Sequence, residues 1–192
     1  MTGLIILAAG ESSRLGQPKQ NLVFNGQTLL QRAVECGKAS KCGNVIVVLG
    51  ANSDAINPIQ GTITLYNNNW IEGLSSSIRL AITEVEKNQL WDKVIISVCD
   101  QPFISAELLN KLIDKHKETR KPVVACTYNG IIGVPALFTR MVFPELMALQ
   151  GHEGAKKIFK IHEKSVATVQ FEKGSIDIDT PEDYDRLLQS GN

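Results

Sequence analysis

Short apolar runs alternate along this chain with longer stretches of helical periodicity. Residues 3–7 (Gly-Leu-Ile-Ile-Leu), 45–49 (Val-Ile-Val-Val-Leu) and 94–98 (Val-Ile-Ile-Ser-Val) are apolar or small throughout. Runs of that length and kind suit strands buried on both faces. Residues 63–66, 122–126 and 166–169 read as further strands. Between them, Leu29, Leu30, Ala33, Val34 and Gly37 share one helix face. Ile78, Ala81, Ile82 and Val85 share a second, and Leu108, Leu109, Leu112 and Ile113 a third. A doubly buried sheet needs helices on both sides. The alternation predicts a three-layer α/β/α fold around a mostly parallel, Rossmann-like sheet.

Local signals place the ends of several elements. Thr28 caps a helix after an Asn25-Gly26 turn. Thr180-Pro181-Glu182-Asp183 is another helix start, with Thr180 as cap, Pro181 at the first position and Asp183 in capping-box register. Tyr184, Leu187 and Leu188 are expected to bury that last helix. Ser75, Ser76 and Ser77 open the helix that carries Ile78, either as a plain cap cluster or as part of a site. Residues 128–138 are glycine-rich and read as a hairpin-like insertion, followed by helices near 143–149 and 153–161.

The 192 residues fit one domain, 1–192. Zero net charge and a pI near 6.8 point away from nucleic acid and anionic membranes as partners. The apolar start is short and lacks a basic leader, and no apolar stretch is long enough to span a bilayer. A cytoplasmic location is expected. Cys36, Cys42, Cys99 and Cys126 have no C-x-x-C spacing, which favours free thiols over a zinc site.

The first strand runs into Leu7-Ala8-Ala9-Gly10-Glu11-Ser12-Ser13-Arg14-Leu15-Gly16-Gln17-Pro18-Lys19. Small residues let a backbone turn sharply and approach a ligand. Backbone N–H groups with two fixed cations, Arg14 and Lys19, suit a polyphosphate. The plain alternative is a glycine-rich connection with surface cations. A P-loop does not fit, because Gln17-Pro18-Lys19 follows Gly16, and a dinucleotide fingerprint does not fit, because position 12 is Ser.

Asp100 closes a predicted central strand and Asp179 is expected to close a late one, at the carboxyl edge where such sheets bind ligands. Either acid has a plain use, Asp100 in a turn and Asp179 before a helix N-terminus. Beside a phosphate loop, two carboxylates suit Mg²⁺, which takes one or two of them plus substrate phosphates. Two acids in one crevice repel, so removing either is expected to leave ligand-free stability unchanged or raised. Lys19, as a loop cation, is expected to contribute little stability. His116, His152 and His162 read as surface histidines.

Leu7, Ala8, Ala9, Gly10, Ser12, Arg14, Gly16, Pro18 and Lys19 match L-A-A-G-x-S-x-R-x-G-x-P-K. In this the chain resembles the molybdopterin nucleotidyltransferase family. Cys99-Asp100-Gln101-Pro102 looks like the C-D-Q-P of its cytidylyltransferase branch. Asn67, Trp70, Gly73 and Ser77 fall on N-x-x-W-x-x-G-x-x-x-S, and residues 177–184 resemble D-I-D-T-P-E-D-Y.

The resemblance implies CMP transfer from CTP to the phosphate of molybdopterin cofactor, with release of pyrophosphate. It implies a nucleotide site of Leu7, Ala8, Ala9, Gly10, Ser12, Arg14, Gly16 and Lys19 in the N-terminal half. It implies an acceptor site with Asn67, Trp70, Gly73, Ser77 and Gln101, most of the acceptor pocket lying in the C-terminal half. Arg14, Lys19 and Asp100 would be catalytic, and Asp100 and Asp179 the Mg²⁺ ligands. Trp70 could equally pack as a lid over an irregular loop. An apo-enzyme of the xanthine dehydrogenase type would be the partner. Two departures fall in the acceptor half: Gly133-Val134-Pro135 replaces G-H-P, and Gly151-His152-Glu153-Gly154-Ala155 replaces G-D-x-G-A. They keep open another phosphorylated acceptor, such as a sugar or alcohol phosphate, and a non-catalytic carrier of the cofactor.

Overall fold

The computed structural model describes residues 1–87 and 91–190. Strands are β1 (Thr2–Ala8), β2 (Val23–Phe24), β3 (Gln27–Thr28), β4 (Asn44–Leu49), β5 (Ile63–Tyr66), β6 (Lys93–Val98), β7 (Val123–Tyr128), β8 (Ile131–Thr139) and β9 (Val166–Gln170). Helices are α1 (Leu29–Lys38), α2 (Leu74–Lys87), α3 (Ala106–Thr119), α4 (Phe143–Met147), α5 (Ala155–Ile161) and α6 (Pro181–Ser190).

Seven strands form one sheet in the order β5-β4-β1-β6-β8-β7-β9. All are parallel except β8, which runs antiparallel between β6 and β7. The alternation in β1 shows why the fold has three layers. Ile5 and Leu7 pack with α2, α4 and α5, whereas Leu4, Ile6 and Ala8 pack with α1 and α3. Successive side chains leave a strand on opposite faces, so a run apolar at every position needs helices on both sides.

The hairpin-like insertion expected at residues 128–138 is corrected. Most of it is β8, a core strand whose Ala136, Leu137 and Phe138 are fully buried. Asn129 and Gly130 make the β7–β8 turn with φ of +49° and +72°, the geometry an Asn-Gly hairpin favours. Two smaller expectations also change. Leu188 is 42% exposed, so Leu187 does most of the burying in α6. The three serines lie inside α2, which begins one residue earlier at Leu74.

Helix α6 does not cover the sheet. Leu187 and Ile178 form a third cluster with Leu15, Leu22, Phe24 and Leu29. That packing brings the C-terminal segment to the loop after β1, even though the two lie at opposite ends of the chain.

Candidate functional site

Beyond the carboxyl ends of β1 and β6 lies a cavity of about 680 Å³. Leu7, Ala8, Ala9, Gly10, Lys19, Val98, Cys99 and Asp100 line it on the sheet side, and Trp70, Gly73, Leu74 and Ser77 line it from across. The loop is held from within. Ser12 takes a left-handed conformation, φ +59°, and its hydroxyl accepts from the Lys19 N–H at 3.1 Å. Gln20 is buried beneath the loop. Its Nε2 donates to the carbonyls of Ala8 at 2.6 Å and Gly10 at 3.4 Å. The Gln20 amide therefore fixes the backbone that floors the cavity.

One ammonium gathers the two predicted acids. Lys19 Nζ lies 2.8 Å from Asp100 Oδ2 and 2.7 Å from Asp179 Oδ1, with its side chain only 13% exposed. Arg14 reaches Asp179 Oδ2 at 2.9 Å from a side chain 68% exposed. Burial works against the Lys19 charge, but the Asp100 carboxylate and then Asp179 outweigh it and raise its pKa. Burial likewise works against the Asp179 carboxylate, yet the hydrogen bond from Lys19 holds its pKa below the usual value, with Arg14 adding. Two expectations fall here. Lys19 is not an exposed loop cation, and the two acids are held together rather than repelling.

Asp179 also stands elsewhere than expected. It closes no strand: β9 ends at Gln170, and a 3-10 turn, Glu172–Ser175, comes between. The α6 capping box positions it instead. Asp183 Oδ2 accepts from the backbone N–H groups of Asp179 at 3.2 Å and Thr180 at 2.9 Å. The Ile178 N–H donates to the Asp100 carbonyl at 3.0 Å, which ties the segment to the end of β6.

The opposite wall is a second network. Asn67 is buried, and its Nδ2 donates to the hydroxyls of Ser76 at 2.8 Å and Ser77 at 2.9 Å. Asn67 thus braces the wall and does not line the cavity. Gln101 is buried too, with Nε2 bonded to the Gly174 carbonyl at 2.9 Å, away from the cavity lining. Ser75 donates to the Gly151 carbonyl at 2.8 Å, and Arg79 bonds the Leu149 carbonyl at 2.7 Å and the Glu72 carboxylate at 2.7 Å. These bonds lock the Trp70 segment to residues 149–152.

A second cavity, about 620 Å³, opens beside the first. Tyr128, Val134, Phe159, Lys156 and Lys160 are among its walls, so the Val134 departure lies on it. Leu74 and His152 line both cavities.

The fold therefore brings Leu7, Ala8, Ala9, Gly10, Lys19, Asp100, Trp70, Gly73 and Ser77 to one space. Arg14 and Asp179 adjoin it through Lys19, whereas Ser12, Gly16, Asn67 and Gln101 stand behind or outside the lining. Sequence reasoning missed Gln20 and His152. Nothing but its place after Lys19 distinguishes Gln20, whereas His152 was marked by its departure from an acidic position. Cys99 lines the cavity, but burial pushes its pKa up to about 12, so it is a neutral packing thiol. His162 bonds Glu145 at 2.7 Å and His116 the Lys121 carbonyl at 2.9 Å, both outside this site. Among the described residues no group of three or more His, Cys, Asp and Glu is placed to hold a metal ion. No described helix is long and apolar enough to cross a membrane.

The chain is similar to purine catabolism protein PucB of Bacillus subtilis, 29% identical over 97% of this chain and 95% of that one. It is 23% identical to the molybdenum cofactor cytidylyltransferase of Escherichia coli, over 94% and 92%. Among solved structures, the Rv0371c homologue from Mycobacterium sp. strain JC1 superposes with a TM-score of 0.86 at 29% identity, over 99% and 96% of the two chains. Rv0371c of Mycobacterium tuberculosis itself, solved as a manganese complex, gives 0.80 at 26%, over 98% of each chain. The MobA-like NTP transferase domain model matches residues 4–167, so this chain belongs to the MobA-like NTP transferase family of nucleotidyltransferases.

Proposed function

We propose that this chain transfers CMP from CTP to the phosphate of molybdopterin cofactor. An oxygen of the acceptor phosphate attacks the α-phosphorus, the bond from that phosphorus to the bridging oxygen breaks, and pyrophosphate leaves. The observation that carries the reading is the meeting of Lys19, Asp100 and Asp179 at the rim of a cavity floored by Ala8-Ala9-Gly10.

Each group has a task in this reading. The 7–10 backbone takes the nucleotide, and Arg14 and Lys19 neutralise the β and γ phosphates. No general base is required, since a phosphate monoester has a second pKa of about 6 and is largely a dianion at pH 7. Alignment and charge neutralisation then supply the catalysis. The donor set fits a divalent cation, because Asp100 Oδ2 and Asp179 Oδ1 already converge on one cationic atom. Mg²⁺ held there would neutralise charge on the nucleotide phosphates, and the manganese complex of Rv0371c supports metal binding by a related chain. The first cavity, built largely from the N-terminal half, is assigned to the nucleotide. The second, largely from the C-terminal half, is assigned to the body of the acceptor, whose phosphate end would reach Trp70, Gly73 and Ser77 on the far wall of the first cavity, with an apo-enzyme of the xanthine dehydrogenase type receiving the product. The similarity to a molybdenum cofactor cytidylyltransferase supports the transfer itself.

Val134 and His152 on the second cavity favour one variant of this reading, the same transfer to a different phosphorylated acceptor. The test incubates the protein with each NTP, Mg²⁺ and molybdopterin cofactor and measures pyrophosphate. Release with CTP above GTP is expected. Equal or greater release with GTP removes the cytidylyl assignment. Cofactor binding without release from any NTP makes the chain a carrier.

A further inference from the structure

We infer that His152 contacts the acceptor's phosphate at the passage between the two cavities, and so helps to set which acceptor is used. The inference rests on the proposed transfer, and three observations carry it.

The first is position. Among the described residues only His152 and Leu74 line both cavities, and of the two only the imidazole can donate a hydrogen bond to an anion. In a transfer between two bound substrates the reacting phosphates must meet where the cavities join. The second is fit. Gly73 has φ +105°, and a Cβ there would lie 2.8 Å from His152 Nδ1 and 2.6 Å from the Gly151 carbonyl oxygen. The missing side chain gives the imidazole its place and sets the Nδ1 edge against Gly73, so Nε2 is the edge turned away from it. The third is support. Ser75 and Arg79 pin residues 149 and 151 from α2, which holds the histidine's backbone against the nucleotide side of the wall.

Charge then indicates the class of acceptor. A histidine here can donate a hydrogen bond to an approaching phosphate, which an acidic residue would repel. Behind it the second cavity has ring and branched walls, Tyr128, Phe159 and Val134, with Lys156 and Lys160 beside them and the ion pair of Glu153 with Lys157, 2.7 Å, neutral overall. Neither Lys156 nor Lys160 has a carboxylate partner within 4 Å among the described residues. The structure thus suits a phosphate monoester on a flat ring body that carries a further acidic or carbonyl group.

Phenyl phosphate, which joins a ring to a phosphate monoester, is the probe. Imidazole ¹⁵N signals are followed during its titration into the wild-type protein, with phenol and inorganic phosphate as controls. The His152 signals should move with phenyl phosphate while those of His116 and His162 stay. In His152→Ala its Kd should rise about tenfold, the size of one charge-assisted hydrogen bond. His152→Lys should recover much of the loss, and the Kd for CTP with Mg²⁺ should change far less than that for phenyl phosphate in either variant. An unmoved His152 signal, an unchanged Kd in His152→Ala, or an equal loss of CTP affinity overturns the inference. The proposed function fails separately. Absence of pyrophosphate from wild-type protein with CTP and molybdopterin removes that acceptor while leaving the His152 contact measurable.

Discussion

Lys19 Nζ donates to Asp100 Oδ2 at 2.8 Å across 81 residues of sequence, and the same ammonium donates to Asp179 Oδ1 at 2.7 Å. One cation therefore neutralises the two carboxylates that are proposed to hold a metal ion during turnover. The arrangement changes what substitutions in the loop should do to stability as well as to rate.

Lys19→Met should lower both nucleotide turnover and stability. It leaves Asp100 and Asp179 without their shared cation. The cost should be about 1–3 kcal/mol, below that of a fully buried pair because Asp179 remains 38% exposed. The folded pKa of Lys19 is raised above 10.5, so its contribution is complete below that pH and fades as pH rises through the folded value. Asp179 is lowered below 3.8, so its share is present above that pH and is lost as pH falls through the folded value. Melting curves should show the wild-type-to-variant gap constant between those limits and closing beyond either. A variant that melts with the wild type would mean that the cluster does not hold the fold.

Gln20→Glu should damage the loop without touching its charged residues. The amide donates to two carbonyls from a buried site, and a carboxylate would set oxygen against oxygen. Leaving buried acceptors unpaired costs about 2 kcal/mol. KM for the nucleotide should rise in step, with the acceptor's KM unchanged. If acceptor KM rises instead, Gln20 supports the other wall.

Gly73→Ala should act from the opposite wall. The new Cβ meets the Gly151 carbonyl at 2.6 Å, and φ +105° is a region L residues rarely adopt. Strain of that kind costs about 1–3 kcal/mol. Displacing residues 151 and 152 should raise the KM for acceptor by more than it weakens CTP binding, followed by calorimetry. Equal losses for both substrates would show that the two walls move as one.

These substitutions also mark what was legible in the sequence. The loop from Leu7 to Lys19 was legible because its residues are contiguous and its small residues and cations stand at fixed spacing. The three layers were legible because burial on both faces leaves an apolar run with no polar alternation. The pairing of Lys19 with Asp100 and Asp179 was not legible, because it depends on where α6 packs, and α6 packs on the first loop rather than on the sheet. Strand β8 was misread because Gly133 interrupts its pattern. A Cβ at Gly133 would lie 2.0 Å from the Tyr128 hydroxyl oxygen, so that glycine serves the packing of a core strand rather than a loop. The Asn129-Gly130 turn was the local signal that could have corrected it. Asn67 and Gln101, which the resemblance places at the acceptor, are buried and hydrogen-bonded within the walls, and a motif marks a position without saying which way its side chain faces.

The capping box at α6 gives the last prediction, because it links a helix start to the placement of Asp179. Asp183 Oδ2 accepts from the Asp179 N–H at 3.2 Å, the Thr180 N–H at 2.9 Å and the Thr180 hydroxyl at 2.8 Å. Its own N–H donates back to Thr180 Oγ1 at 3.2 Å, and Arg186 pairs with its other oxygen. Chiefly through the Thr180 hydroxyl, the Asp183 pKa is held down to about 2 from an ordinary 3.8. A depressed carboxylate pKa stabilises the fold above the unfolded value and loses that contribution as pH falls through the folded one. Asp183→Ala should therefore melt earlier by an amount set by about 1 kcal/mol, as for loss of a helix cap. The gap should be constant from pH 7 to near 4 and should narrow towards pH 2. Because the Asp179 backbone loses its anchor, the metal requirement should change as well: pyrophosphate release should need a higher Mg²⁺ concentration for half-maximal rate. Asp183→Asn keeps the shape and loses the charge, so it should fall between the two proteins in stability while needing less extra Mg²⁺ than Asp183→Ala. A lower melting temperature with an unchanged Mg²⁺ requirement would show that Asp183 caps α6 but does not hold Asp179 in place.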